Sequence, residues 1–120
     1  MEPADLTVRY TLPTSHRLAD KPAFDRVFAE AARSGDRYFT VLHAANSLAH
    51  PRLGMVVSRK VASRSVTRNR IRRVVRESFR THQHEIAAKD LVVLARTEAR
   101  AATNAELSDS LARHWRSASA

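Results

Sequence analysis

Apolar and polar positions alternate along the chain in ways that mark out six regular elements. Residues 1–16, with Pro3 and Pro13, keep no period and read as an extended, mobile arm. Asp20 is placed to cap a helix whose first turn tolerates Pro22. Phe24, Val27, Phe28 and Ala31 then recur at i, i+3, i+4 and i+7, and Gly35 supplies a stop. Residues 38–45 are rich in β-branched and aromatic side chains and predict a strand. Residues 46–51 predict a turn, and 53–58 form a nearly continuous apolar run, as in a strand buried on both faces. These two strands are expected to form an antiparallel hairpin. Helical periodicity spans residues 68–82, and DLVVLAR at 90–96 predicts a third buried strand. Thr103 and Glu106 have capping-box spacing ahead of Leu107, Leu111 and Trp115 at i, i+4 and i+8. The order α-β-β-α-β-α predicts an α+β fold, a small sheet packed with helices, in one domain over residues 17–120 behind the arm.

Composition narrows the chemistry. A chain of 120 residues with 43% hydrophobic positions suits one modest core. There is no cysteine, which excludes disulfides, thiolate zinc sites and cysteine nucleophiles. No N-terminal basic region leads into an apolar run, and no stretch approaches the roughly 18 apolar residues that span a bilayer. The expectation is a cytoplasmic protein without membrane association.

Charge changes the picture most. Twenty-one Lys and Arg against twelve Asp and Glu give a net charge of +9, and only Lys21, Lys60 and Lys89 among the cations are lysines. Arginine grips phosphate with a planar fork and stacks on bases, so the partner expected is nucleic acid. Between residues 59 and 80 lie Arg59, Lys60, Arg64, Arg68, Arg70, Arg72, Arg73, Arg76 and Arg80, with Glu77 the one acid. The segments on either side are nearly balanced. At about 100° per residue, Ile71, Val74, Val75, Ser78 and Phe79 share one arc of the helix and the arginines with Asn69 share the other. A solvated charged face normally mixes signs. A helix lying on a membrane would leave its apolar arc out of the core, where this fold needs it.

The string Arg68-Asn69-Arg70 followed by Ile71-Arg72-Arg73 and Arg76-Glu77 resembles the RNR motif of the protein component of bacterial ribonuclease P. Arg17-Leu18, Phe24-x-x-Val27-Phe28, Ser58-Arg59-Lys60 and Leu91-Val92-Val93 extend the resemblance in the family's order to about Trp115. It implies a ribosomal protein S5 domain 2-like fold with a left-handed β-α-β crossover. It also implies a subunit that binds a catalytic RNA and the 5′ leader of precursor tRNA, assisting leader removal, with active site and magnesium in the RNA. Carried over by position, Arg59, Lys60, Arg64, Arg68, Asn69, Arg70, Arg72, Arg73 and Arg76 should face RNA. Phe24, Phe28 and Leu42 should line the leader cleft.

No catalytic residue is expected in the protein itself. His16, His43, His50, His82, His84 and His114 are scattered, and the close pair His82 and His84 lacks a third metal ligand. Gly35 and Gly54 are the only glycines, too few for a phosphate-binding loop, and no Ser/His/Asp arrangement stands out. No metal, bound cofactor or obligate protein partner is therefore expected. A structural ribosomal protein with the same fold is the nearest alternative. A DNA-binding regulator fits less well, because no helix-turn-helix pair is legible.

Overall fold

A computed structural model describes Arg17, Leu18 and residues 21–46 and 48–119. The expected arm over residues 1–16 and the Asp20 cap lie outside the described residues. Helix α1 (Lys21–Glu30) is followed by strands β1 (Ala32–Gly35), β2 (Phe39–Ala45) and β3 (Arg52–Val56). Helix α2 (Ser65–His82) leads through a 3-10 turn at Gln83–Glu85 into β4 (Lys89–Ala95). A second 3-10 turn, Thr97–Ala101, precedes α3 (Asn104–Ser119).

The four strands form one sheet in the order β1-β2-β4-β3. β4 pairs antiparallel with β2 and parallel with β3, so α2 is the crossover of a β-α-β unit. The expected hairpin of β2 and β3 is thus corrected: β4 lies between them. Its apolar run is buried through Leu91, Val92 and Val93, as a central strand requires. Gly35 is likewise not a helix stop. α1 ends at Glu30, and Gly35 pairs with Thr40 in β1, a short edge strand absent from the sequence expectation. The turn beyond it is made by Asp36, whose Oδ1 accepts the N–H groups of Tyr38 at 2.9 Å and Phe39 at 3.0 Å.

Period-two alternation divides the apolar side chains between the two faces of the sheet. Phe39, Val41, Leu53, Leu91 and Val93 face α2 and α3, where they join Ile71, Val75, Phe79, Leu107, Leu111 and Trp115. The Trp115 ring meets Phe79 edge-on at 5.8 Å, and its indole N–H donates to Ser78 Oγ at 2.8 Å. The capping box is present: Glu106 N–H donates to Thr103 Oγ1 at 3.1 Å and Thr103 N–H to Glu106 Oε1 at 2.8 Å. On the opposite face α1 covers a smaller cluster of Leu18, Val27, Leu42 and Val92.

Candidate nucleic-acid interface

The arc of α2 made by Ile71, Val75, Ser78 and Phe79 is buried, which fixes the arginine arc outward. The helix begins without a side-chain cap at Arg64. Instead the Arg68 guanidinium reaches back to the carbonyls of Ala62 at 3.0 Å and Ser63 at 2.9 Å. The N–H groups of Val61 and Ala62 both donate to Ser58 O at 3.1 Å. Those bonds, with Val61 and Ala62 buried, pin the loop that carries the exposed Arg59, Lys60 and Arg64.

The motif divides its labour. Arg70 donates to Asn104 Oδ1 at 2.8 Å and Arg100 O at 3.1 Å, tying α2 to the start of α3. Asn69 Oδ1 accepts from Arg72 at 3.3 Å, and Arg80 pairs with Glu77. By contrast the side chains of Arg59, Lys60, Arg64, Arg73 and Arg76 make no hydrogen bond or ion pair to the described residues, which leaves their donors available to an anion. Arg76 is the most constrained of these. Burial, then the nearby charges of Arg73, Arg72 and Arg17, push its pKa down from the ordinary arginine value, although it remains a cation at neutral pH. Arg17 thus joins the cluster, a placement the sequence alone did not reveal. It reaches there because residues 17 and 18 run beside β3, with a bridge from Arg17 to Leu53 and a bond from Leu18 N–H to Leu53 O at 2.9 Å. Among the described residues Arg73 and Arg76 form no ion pair, and the crowding of like charges around Arg76 disfavours the free protein and favours a polyanion-bound one.

On the other side of the sheet the two phenylalanines separate. Phe28 is 52% exposed. Phe24 is half-buried, its ring lying on Gly54, where an added Cβ would fall 2.6 Å from Phe24 Cζ. Val56, 40% exposed, continues the apolar surface two residues along β3. Leu42 is corrected from cleft to core: it is 4% exposed and packs with Val27 and Val92 beneath α1. The strand alternation that points Thr40 and Leu42 toward α1 puts Leu42 directly under the helix.

The histidines divide similarly. Among the described residues no three His, Asp or Glu side chains gather to hold a metal. His82 Nδ1 bonds Ser78 O at 2.8 Å, and His84 lies 3.5 Å from Glu85. One arrangement was not foreseen: Ser34 Oγ lies 2.7 Å from His114 Nδ1, and His114 Nε2 lies 3.3 Å from Asp36 Oδ2. Ser110 Oγ also donates to Asp36. His114 is 3% exposed, and the network fastens the β1–β2 turn to α3. Burial raises the Asp36 pKa, but hydrogen bonds from Ser110, Phe39 and Tyr38 and the neighbouring His114 outweigh it and bring it to about 2. Burial pushes His114 down, partly opposed by Asp36.

A family model of Ribonuclease P matches residues 12–119. The ribonuclease P protein component of Methylococcus capsulatus is 51% identical over 106 residues, 88% of this chain and 83% of that protein. That of Aliivibrio fischeri is 40% identical over 108 residues, 90% of this chain and 92% of that one. The solved RNase P protein of Staphylococcus aureus superposes with a TM-score of 0.77 at 35% identity, covering 83% of this chain and 91% of that one. The one from Thermotoga maritima gives 0.75 at 30%, covering 82% and 94%. In sequence and in fold alike, this chain belongs to the ribonuclease P protein component family.

Proposed function

We propose that the chain binds the RNA of ribonuclease P through the outer face of α2 and the loop before it, and holds the 5′ leader of precursor tRNA against α1 and the sheet. Ribonuclease P protein components are parts of an endoribonuclease. In this reading the RNA, with its magnesium ions, carries the active site, and the protein contributes charge and position in the cytoplasm where tRNA matures. The observation that carries the reading is a helix committed to the core on one side and offering, on the other, Arg73 and Arg76 side chains with no partner among the described residues. Each phosphate these cations neutralise releases condensed counterions, an affinity that needs no base sequence. Arg68 and Arg70 support this face by fixing the loop and the start of α3, with further N–H groups left to donate. Phe28 offers a flat apolar surface on which unpaired bases stack without regard to sequence.

The test adds purified protein to a bacterial ribonuclease P RNA at low magnesium and measures cleavage of precursor tRNA. Stimulation is expected. Equal rates with and without the protein would refute the assignment.

A further inference from the structure

One carboxylate on the α1 face of the sheet is fully buried and receives four hydrogen bonds. Asp90, at the start of β4, has 0% side-chain exposure. Its Oδ1 accepts from Arg52 Nε at 2.8 Å and Asn46 Nδ2 at 2.9 Å. Its Oδ2 accepts from Arg52 Nη2 at 2.7 Å and from Arg26 Nη2. Arg52 belongs to β3 and Asn46 directly follows β2, so neither ties Asp90 to α1. Arg26 alone comes from α1, and its other terminal nitrogen donates to Ala45 O at 3.2 Å.

Replacing a buried ion pair with apolar groups is often neutral or stabilising, so stability alone gives little reason for this cluster. Its geometry suggests another purpose. At about 100° per residue, Val27, buried at 0%, points into the sheet, with Arg26 on one flank and Phe28 on the other. The apolar cluster beneath α1 is small, with four buried residues and the Phe24 ring lying on Gly54. The Arg26 link adds a polar tie from the flank of the helix to the sheet. We propose that Asp90 and Arg26 are a positioning pair that sets the roll of α1 and thereby the presentation of Phe28 to the leader, which rests on the leader reading above.

The experiment reconstitutes the holoenzyme and compares the affinity of precursor tRNA with that of tRNA lacking a leader. If the wild type shows no gain from the leader, the leader reading itself fails. Given that gain, Arg26→Met is expected to lose about tenfold of it, the order expected for one charge-assisted hydrogen bond. Arg52→Met removes two of the bonds to Asp90 but leaves α1 tied, and should keep the gain within about twofold. Arg26→Lys, which restores one donor, should recover most of the loss. Because Arg26 is engaged by Asp90 and Glu30 and makes no leader-phosphate contact in this proposal, the slope of log affinity against log salt should not move. A direct leader-phosphate contact would lower it by about 0.7. In the free protein, the Phe28 ring resonances should shift in Arg26→Met and not in Arg52→Met. An intact gain in Arg26→Met overturns the proposal. So does a loss in both variants that tracks their melting temperatures, or a reduced salt slope. Should Arg26→Met fail to fold, Arg26→Gln, which keeps an amide donor without charge, is expected to shift the Phe28 resonances and lose part of the gain. Unmoved resonances and a full gain in that variant would overturn the proposal equally.

Discussion

The two faces of the sheet are built on different principles. The face toward α2 and α3 is thick: rings and branched aliphatics interlock, and the Trp115 N–H, the capping box and the Asp36 network each find partners. The face toward α1 is thin, with four buried apolar residues among those described and an ionic clamp at its edge. The thick layer makes a rigid platform for the arginines of α2, where spacing against an RNA backbone must hold. The thin layer leaves Phe28 and Val56 uncovered, which suits the proposed role of accommodating an unpaired strand of any sequence.

The sharpest way to break this comparison is to cut into both layers. Trp115→Ala removes the largest buried side chain of the thick face and orphans Ser78, and should cost about 3–5 kcal/mol. Leu42→Ala on the thin face should cost about 2–3 kcal/mol, near the low end for buried leucine, because α1 can settle onto the sheet. Urea midpoints decide it. Equal losses would mean that the faces share the load.

Acid probes the thick face through Asp36 and His114. The folded pKa of Asp36 is depressed, so its contribution is present above the unfolded value near 4 and is lost as pH falls through about 2. Its side chain is 24% exposed, and the shift corresponds to about 2 kcal/mol. His114 acts in the same direction over a higher range. Held neutral by burial, it loses stability as pH falls below about 6.5, where the unfolded chain takes up a proton. Asp36→Asn should flatten the decline between about pH 4 and 2, and His114→Gln the decline that begins near 6.5. Stability measured across that range in the two variants checks both. An unchanged profile would place the acid sensitivity at Asp90, whose carboxyl is also held low, by Arg52, Asn46 and Arg26 against the effect of burial.

The thick face was largely legible in the sequence, and the thin one was not. Ile71, Val75 and Phe79, and Leu107, Leu111 and Trp115, announce their burial by helical spacing, and Thr103 with Glu106 announces a cap. Strand order leaves no such local mark. Whether β3 pairs with β2 or with β4 depends on contacts between residues 38 apart in the chain, such as Arg52 with Asp90. β1 escaped notice because Ala32–Gly35 is a mostly exposed edge without branched residues. Asp90 reads as a strand entry, and nothing in the chain order links it to Arg26. The arginine face was visible as charge, but which arginines are occupied was not. That depends on where the carbonyls of Ala62, Ser63 and Arg100 fall in three dimensions.

Phe28→Ala takes a half-exposed ring from the thin face, so stability should change by less than about 0.5 kcal/mol. Affinity for precursor tRNA should fall while affinity for leaderless tRNA stays constant. A loss of several kcal/mol of stability would instead make the ring part of the core.

The smallest expected effect separates two arginines three residues apart on α2. Arg73 is exposed and makes no bond to the described residues, so Arg73→Ala should leave the melting temperature unchanged. It should lower the log–log salt slope of RNA binding by about 0.7–0.9, the signature of one lost phosphate contact. That loss should be the same with and without a leader, since the contact belongs to the RNA-binding platform. Arg70 already spends two nitrogens on Asn104 and Arg100, so Arg70→Ala should lower thermal stability and move the slope less. If Arg70→Ala changes the slope as much as Arg73→Ala does, its guanidinium leaves α3 to meet the RNA. The junction of α2 and α3 would then be a part of the thick layer that rearranges on binding, and the contrast between a rigid and an adaptable face would have to be redrawn along α2 instead of across the sheet.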